Sequence, residues 1–213
     1  VRDVQTLTSR GVREVTLLGQ NVNSYLSECG INFAHLLRIL AEDTSIERIR
    51  YTTSHPKDFN QELVDISQKY RSKICDYIHL PAQSGNTEVL SRMNRNYSRE
   101  EYFDKAKMVR AGIPGVALST DLIVGFPGET EAQFQDTMSL IHEMQYENVY
   151  AFMYSPRPFT KAARFTDQVE EKDKSRRLQE LLAAQRIIAF DLAAAYEGKT
   201  LQVLVEEYSA DTG

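Results

Sequence analysis

Cysteine is scarce in this sequence. Only Cys29 and Cys75 occur among 213 residues, and their separation matches no metal or redox spacing. By themselves these two cannot hold an iron–sulfur cluster, and they read as structural or idle thiols in a reducing compartment. Long apolar runs are missing too: none approaches the roughly 20 residues needed to cross a bilayer. Residues 1–10 alternate charged and apolar positions without an h-region, so they do not read as a signal peptide, and the missing initial methionine suggests a chain cut from something longer. An excess of positive charge is also lacking. A net charge of −5 argues against a coat of positive potential, although a local basic face can still bind phosphates. There is no Walker loop, no G-x-G-x-x-G after a strand and no nucleophile elbow. His35, His55, His79 and His142 form no pair with ligand spacing, which disfavours a zinc or mononuclear iron site. The hydrophobic share of 42% and charged share of 26% are those of an ordinary globular domain, and the length is enough to bury a core.

What is present is a repeating unit: a short apolar strand, a polar loop, then an amphipathic helix. The strand candidates are 13–18, 46–52, 74–80, 116–124 and 148–154. Their loops begin at Gly19-Gln20-Asn21-Val22-Asn23, Thr53-Ser54-His55-Pro56, Pro81-Ala82-Gln83-Ser84-Gly85, Gly125-Phe126-Pro127-Gly128-Glu129 and Ser155-Pro156-Arg157-Pro158. Ser98 with Glu101, and Thr130 with Gln133, predict capping boxes. Tyr102, Ala106 and Val109, and then Phe134, Met138 and Ile141, fall on single helix faces and predict core packing. Gly112 is placed to end the first of these helices, and residues 1–10 read as the tail of another, ended by Gly11. Alternation of strand and helix implies a parallel sheet, whose sites lie at the C-terminal strand ends, where all five loops fall. At least one strand is expected upstream. Beyond residue ~165 the pattern changes to a long helix over 170–196, stopped by Gly198, and then to an alternating stretch over 199–207 that predicts the first strand of an all-β module.

The loop residues are mostly neutral hydrogen-bonding groups: Gln20, Asn21, Asn23, Thr53, Ser54, Gln83, Ser84, Thr120, Tyr154 and Ser155, joined by Asp121 and Arg157. Such a mouth suits the orientation of a zwitterionic, sugar-bearing cofactor better than acid–base catalysis. For each residue taken singly, the alternative is that it satisfies strand-end backbone groups. The glycines and proline of Gly125-Phe126-Pro127-Gly128-Glu129 fit a tight turn as well as a phosphate loop, and the loop lacks the phosphate-binding lysine.

Four motifs carry a closer likeness. Gly19-Gln20-Asn21-Val22-Asn23-Ser24-Tyr25, His79-Leu80-Pro81-Ala82-Gln83-Ser84-Gly85, Ser119-Thr120-Asp121-Leu122-Ile123-Val124-Gly125-Phe126-Pro127-Gly128-Glu129-Thr130 and Tyr154-Ser155-Pro156-Arg157-Pro158 resemble the radical S-adenosylmethionine (SAM) methylthiotransferases. Within that family they look like the MiaB branch, which makes 2-methylthio-N6-isopentenyladenosine in tRNA. The resemblance implies an α/β fold, a partial parallel β/α barrel of TIM-like type truncated on its N-terminal side. It implies a radical-SAM core over 1–196 and the first strand of a truncated, RNA-gripping TRAM domain over 197–213. It further implies SAM and two 4Fe-4S clusters in the full-length protein, whose C-x-x-x-C-x-x-C ligands would lie upstream, so that no metal ligand and no catalytic residue falls in this chain. The reaction it implies is hydrogen abstraction from the adenine C2 by a 5′-deoxyadenosyl radical, sulfur delivery from the auxiliary cluster, and methylation by a second SAM. Fragment and parent differ on this reading: the chain alone is expected to be inactive.

The same resemblance assigns Gly19, Gln20 and Asn21 to the methionyl amino group, Ser54 and Gln83 to the methionyl and ribose pocket, and Asp121, Val124 and Phe126 to the adenine. It gives Tyr154, Ser155, Arg157 and Arg95 to the target base or its RNA. Two basic groups, Arg92, Arg95 and Arg99, and Arg157, Lys161 and Arg164, are candidates to track tRNA phosphates or are simply solvated faces. The expected partners are tRNA and an electron donor such as flavodoxin or ferredoxin, with no membrane, in a monomer. The cytoplasm is the expected location, or the mitochondrion for a eukaryotic source. Other readings are a methylthiotransferase for threonylcarbamoyladenosine or a ribosomal-protein aspartate, and a non-catalytic RNA-binding or regulatory scaffold. One departure stands out: after Arg157-Pro158 the family carries glycine, whereas this chain has Phe159. Because a bulky residue rarely tolerates positive φ, the expectation is a rearranged loop with Phe159 at negative φ and its ring partly buried.

Overall fold

The five middle helices each begin where a short polar side chain caps them, and each strand begins where the alternation of apolar residues resumes. The fold comes from a computed structural model that describes residues 1–52 and 54–205. Its elements are α1 Arg2–Ser9, β1 Glu14–Leu17, α2 Phe33–Asp43, β2 Arg48–Tyr51, α3 Gln61–Lys69, β3 Tyr77–His79, α4 Thr87–Arg92, α5 Arg99–Gly112, β4 Ala117–Val124, α6 Glu131–Met144, β5 Asn148–Met153 and α7 Glu171–Ala194. Both expected capping boxes form: Ser98 and Glu101 close the start of α5 reciprocally, and Thr130 and Gln133 do the same for α6. Asn32, Asn60 and Asn86 cap α2, α3 and α4 through their side-chain oxygens.

The strands are parallel and follow chain order. β1 pairs with β2 from Glu14↔Arg48 to Leu17↔Tyr51, β3 with β4 from Tyr77↔Ala117 to His79↔Ser119, and β4 with β5 from Ser119↔Asn148 to Val124↔Met153. Between β2 and β3 the ladder narrows to a single bridge at Ile49↔Ile74, where Ile49 N–H donates to Lys73 at 2.7 Å and Cys75 N–H donates to Ile49 at 3.0 Å. The result is an arc of five strands with helices on its convex side, the partial barrel expected.

Strand parity separates core from mouth. Leu118, Thr120, Leu122 and Val124 of β4 are buried under the helices, while Asp121 and Ile123 stay partly open on the concave face. Tyr102, Ala106, Val109, Phe134, Met138 and Ile141 all join the core, as their spacing predicts, and Leu181 and Ile188 seal α7 onto it. Gly112 does not act as a left-handed stop. It is the last residue of α5, and a Cβ there would overlap the Val64 side chain of α3, so its role is close helix packing.

The expected strand over 199–207 does not form within its described part. Residues 199–205 adopt no strand, and Leu201, Val203 and Val205 are 56%, 72% and 77% exposed. A strand needs a ladder partner, and residues 199–205 pair with none of the described strands. Residues 206 and 207 lie outside the described residues, as does Thr53. No helix among the described residues is long and apolar enough to cross a membrane.

Candidate cofactor cavity and rim pocket

The loops at the C-terminal strand ends surround two separate cavities. The first, of about 440 Å³, is lined by Gln20, Asn21, Ser54, Gln83, Arg95 and Asp121 together with His55 and Tyr97. The second, of about 600 Å³, sits on the rim and is lined by Phe126, Tyr154, Ser155 and Arg157 with Arg92 and Phe165. Most of the residues assigned to a cofactor thus come together. Phe126 falls instead with the residues assigned to a base, and Arg95 falls with the cofactor set.

Local bonds decide which loop residues are free to bind a ligand. Asn23 is buried and clamps the first loop to the second: its amide donates to the His55 carbonyl at 2.9 Å and accepts from the His55 N–H at 2.7 Å. With the loop anchored there, Gln20 and Asn21 stand exposed beside the cavity. Thr120 accepts from the Ala82 N–H at 2.8 Å, and Ser84 accepts from the Asn86 N–H at 3.2 Å, so both serve the backbone. Ser54 is different. It is 2% exposed, lines the cavity, and its hydroxyl has no hydrogen-bond partner among the described residues.

Gln83 adopts φ +67°, a left-handed conformation that costs a non-glycine residue about 1–3 kcal/mol. Its backbone is fixed on both sides, N–H to the Asp121 carbonyl at 2.8 Å and carbonyl from the Ile123 N–H at 2.9 Å, which holds the amide against the cavity. Asp121 faces His79 across the concave surface, with Oδ2 at 3.4 Å from Nε2. The other ring nitrogen, Nδ1, lies 3.0 Å from the Ser119 hydroxyl, and the Tyr150 ring meets the imidazole edge-on at 5.7 Å. The alternation of Ser119 and Asp121 puts both on the side of His79, a signal the sequence contained but that the reading of His79 as a strand terminus passed over. Tyr97 and His55 were missed as well. The Tyr97 hydroxyl donates to the Pro81 and Ala82 carbonyls at 3.3 Å, and burial pushes its pKa up to about 12. Burial, aided by Arg95 and Lys57 and opposed by Asp58, lowers the His55 pKa and keeps its imidazole neutral at pH 7.

Val124 gives its side chain to the core, and its carbonyl accepts from the Tyr154 N–H at 2.9 Å. Gly19 is exposed at the start of its loop. The following turn uses its glycines for shape: Gly125 has φ +70° and Gly128 φ +79°. The Gly125 N–H, which a phosphate loop would offer to an anion, donates to the buried Glu129 carboxylate at 2.6 Å. Arg177 of α7 meets the same carboxylate at 2.9 Å and the Glu129 carbonyl at 3.0 Å. Burial raises the Glu129 pKa, against the pull of the Gly125 N–H and Arg177. This is a turn clamped to the last helix, and the phosphate-loop reading is set aside.

At the rim, Phe126 contacts Tyr154 and Phe165 edge-on at 5.1 and 6.4 Å, and the Tyr154 hydroxyl is buried without a partner among the described residues. Arg92 lies over Phe165 at 5.0 Å and is pinned by Asp167 at 2.7 Å and the Pro127 carbonyl at 3.1 Å. Arg99 bonds the Gly85 and Asp136 carbonyls and Ser139. These two arginines therefore belong to the scaffold. Arg95, Arg157 and Lys161 make no ion pair among the described residues.

The expectation for Phe159 is overturned. It sits at φ +69° and is 97% exposed. The loop has not rearranged, because the Arg157 carbonyl accepts from the Thr160 N–H at 3.2 Å across Pro158-Phe159. That is a β-turn with proline at its second position and positive φ at its third, the type II pattern that favours glycine there. The proline and the closing bond hold the turn, and Phe159 accepts the strain.

Comparison with known proteins fits this geometry. A model of the radical SAM superfamily matches residues 1–141. The tRNA-2-methylthio-N(6)-dimethylallyladenosine synthase of Bdellovibrio bacteriovorus is 56% identical over 211 residues, 99% of this chain and 47% of that protein. The proteins of the same name from Geotalea uraniireducens and Clostridium botulinum are 48% and 47% identical, over 99% and 96% of this chain and 48% and 46% of their own lengths. The chain spans about half the length of the curated relatives it matches. Among solved structures, coproporphyrinogen III oxidase (HemN) from Escherichia coli, a radical SAM enzyme, is 22% identical with a TM-score of 0.65, covering 83% of this chain and 41% of its own. The radical SAM methyltransferase TsrM from Kitasatospora setae is 16% identical with a TM-score of 0.60, over 76% of this chain and 32% of its own. These two likenesses concern the fold.

Proposed function

The chain belongs to the radical SAM superfamily, and from that premise we propose that it is the central part of a tRNA methylthiotransferase, which converts N6-isopentenyladenosine to its 2-methylthio derivative. The match of 99% of the chain at 56% identity to a protein named for that product carries the reading. Neither the threonylcarbamoyladenosine nor the ribosomal-protein alternative is favoured by the relatives' names, and a scaffold role leaves the orphan hydroxyl of Ser54 without a purpose.

The first cavity fits SAM. Its volume lies within the range of about 300–1,000 Å³ typical of small-molecule sites, and it offers three amides, a buried hydroxyl without a partner among the described residues and one carboxylate. When bound, SAM supplies the hydrogen-abstracting group and the methyl group. Gln20 and Asn21, with the loop of Gly19, accept from the methionyl ammonium. Ser54 and Gln83 bond the carboxylate or ribose, and Asp121, oriented by His79, accepts from a ribose hydroxyl. The backbone of the strand from Asp121 through Val124 lies along the adenine, and Phe126 borders it from the rim. Tyr154, Ser155 and Arg157 hold the RNA, while Arg95, on the cofactor side, stands where the two ligands meet.

The residues present do not fit an iron–sulfur cluster. Cys29 is exposed, Cys75 lies beside β2, and no group of three or more histidine, cysteine or acidic ligands assembles among the described residues. Cluster chemistry belongs, on this reading, to the remainder of a longer protein. A tRNA substrate, a flavodoxin- or ferredoxin-type electron donor, a monomeric state and a cytoplasmic location form part of the same proposal. The test is nucleoside mass spectrometry of tRNA bearing N6-isopentenyladenosine after incubation with SAM, reductant and the reconstituted full-length gene product. A 2-methylthio product is expected. No product, or product only on threonylcarbamoyladenosine or a ribosomal protein, overturns the assignment.

A further inference from the structure

Phe159 is the most exposed large apolar side chain among the described residues, at 97%. It occupies the third position of a type II turn, at φ +69°, where glycine would sit without strain. Within the chain the ring therefore contributes a conformational penalty and buries nothing. Its surroundings indicate what it meets. The turn that carries it forms a wall of the rim pocket, through Arg157, Thr160 and Lys161. No acidic residue lines that pocket, in a protein whose net charge is −5. Arg157 and Lys161 flank the ring in sequence and are free of ion pairs among the described residues, whereas Arg92, deeper in, is neutralised by Asp167. Tyr154 lines the pocket, and its hydroxyl is buried without a hydrogen-bond partner among the described residues.

An exposed aromatic ring between two cations unpaired among the described residues, beside a largely apolar pocket that no described acidic residue lines, has the chemistry of a single-stranded nucleic acid platform. Bases stack on the ring, and the cations take the adjoining phosphates. We propose that Phe159 stacks on an unpaired base neighbouring the modified nucleotide, with Arg157 and Lys161 on its phosphates, so that the rim pocket grips the RNA strand next to the cofactor cavity. This rests on the tRNA reading above for its partner but not for its chemistry.

The experiment measures binding of an anticodon stem-loop RNA, carrying 2-aminopurine beside the target adenosine, to the full-length gene product, alongside thermal unfolding. Phe159→Gly is expected to weaken RNA binding about 5- to 150-fold, the range set by loss of one base–aromatic stack. It should leave SAM affinity unchanged and raise or preserve the unfolding temperature, because glycine relieves the turn. Phe159→Tyr should bind RNA like the parent and quench 2-aminopurine fluorescence, while Phe159→Leu should bind as weakly as the glycine variant. Arg157→Gln and Lys161→Gln should each lower the salt dependence of binding by about one counterion. Unchanged RNA affinity in Phe159→Gly, or full affinity in Phe159→Leu, overturns the stacking role. A fall in unfolding temperature in Phe159→Gly also overturns it, because the ring would then be packing on another part of the protein. RNA binding that is lost in Phe159→Gly, in a protein whose parent binds the RNA but forms no methylthiolated product, would sink the reaction assignment and leave the platform standing.

Discussion

Ser54 carries a hydroxyl buried at the cavity and bonded to nothing among the described residues, which costs free energy unless a ligand answers it. Ser54→Ala is therefore expected to leave stability unchanged or slightly improved, while SAM binding weakens by about 0.5–1.5 kcal/mol. Isothermal titration against the parent reads both ends, and a destabilised variant with intact affinity would refute the assignment. Gln83 makes the complementary case, with backbone strain at a binding position. Gln83→Gly should gain about 1 kcal/mol or more from relief of the left-handed conformation, less the entropy glycine loses on folding, yet bind SAM less well. Residue types at these loops were legible in the sequence, but their employment was not. Asn23, Ser84, Thr120 and Arg99 looked as free as Gln20 and Ser54, and only the fold shows the first four bonded to neighbouring backbone. A partner 30 or more residues away, as for Asn23 and Thr120, leaves no mark in local pattern.

Elements were more readable, because periodicity and caps are local. Each of the five strand candidates of the repeating unit contains an observed strand, while the one over 199–207 does not within its described part, and both capping boxes form as their S/T-x-x-E/Q spacing requires. Parity along the strands was readable too, and would have found the pairing of His79 with Asp121. The helix end at Gly112 was placed correctly for a different reason from the one spacing suggests. Alanine there would gain about 1 kcal/mol of helix propensity, but its Cβ overlaps Val64, and repacking costs about 1–3 kcal/mol. Gly112→Ala is thus expected to destabilise by up to about 2 kcal/mol in denaturant titrations, and clear stabilisation would show that α3 yields freely. At the other end of the arc, Glu14 of β1 bonds Arg48 and Arg50 of β2 at 2.8 and 2.9 Å. Burial pushes its pKa up, but the two guanidinium groups outweigh this and hold it below the ordinary carboxylate range. A depressed folded pKa means that the stabilisation is present above the unfolded value of about 4 and is lost as pH falls through the folded one. Glu14→Gln should cost stability at pH 7, and the gap from the parent should close as pH drops below about 4.

At the scale of the molecule, the arc carries two cavities at its strand ends and, among the described residues, assembles no group of three or more potential metal ligands. Parallel order, loop placement and helix coverage followed from alternation alone, since strands joined by helical crossovers have few ways to pack. The division of the mouth into two cavities did not follow, because it depends on how the turn after β5 and Phe126 fold over the rim. The concave face is open, with Tyr150 46% and Phe152 54% exposed, and Gln20, Asn21 and Ser54 line its cavity without a side-chain partner among the described residues. The chain's soft donors cannot complete that site. Cluster ligation takes several thiolates converging on one point. Here Cys29 lies beside Ser27 on an exposed loop, while Cys75 bonds its backbone to β2 and has its thiol pKa raised by burial, away from the thiolate a metal needs. The purified 213-residue chain is accordingly expected to come off reconstitution colourless, with iron far below one atom per chain. It should form no 5′-deoxyadenosine from SAM under reductant, while the full-length gene product does both. Stoichiometric iron with a charge-transfer band in the isolated chain would mean that its two thiols recruit a cluster between copies, and the assignment of that chemistry to residues elsewhere would have to be abandoned.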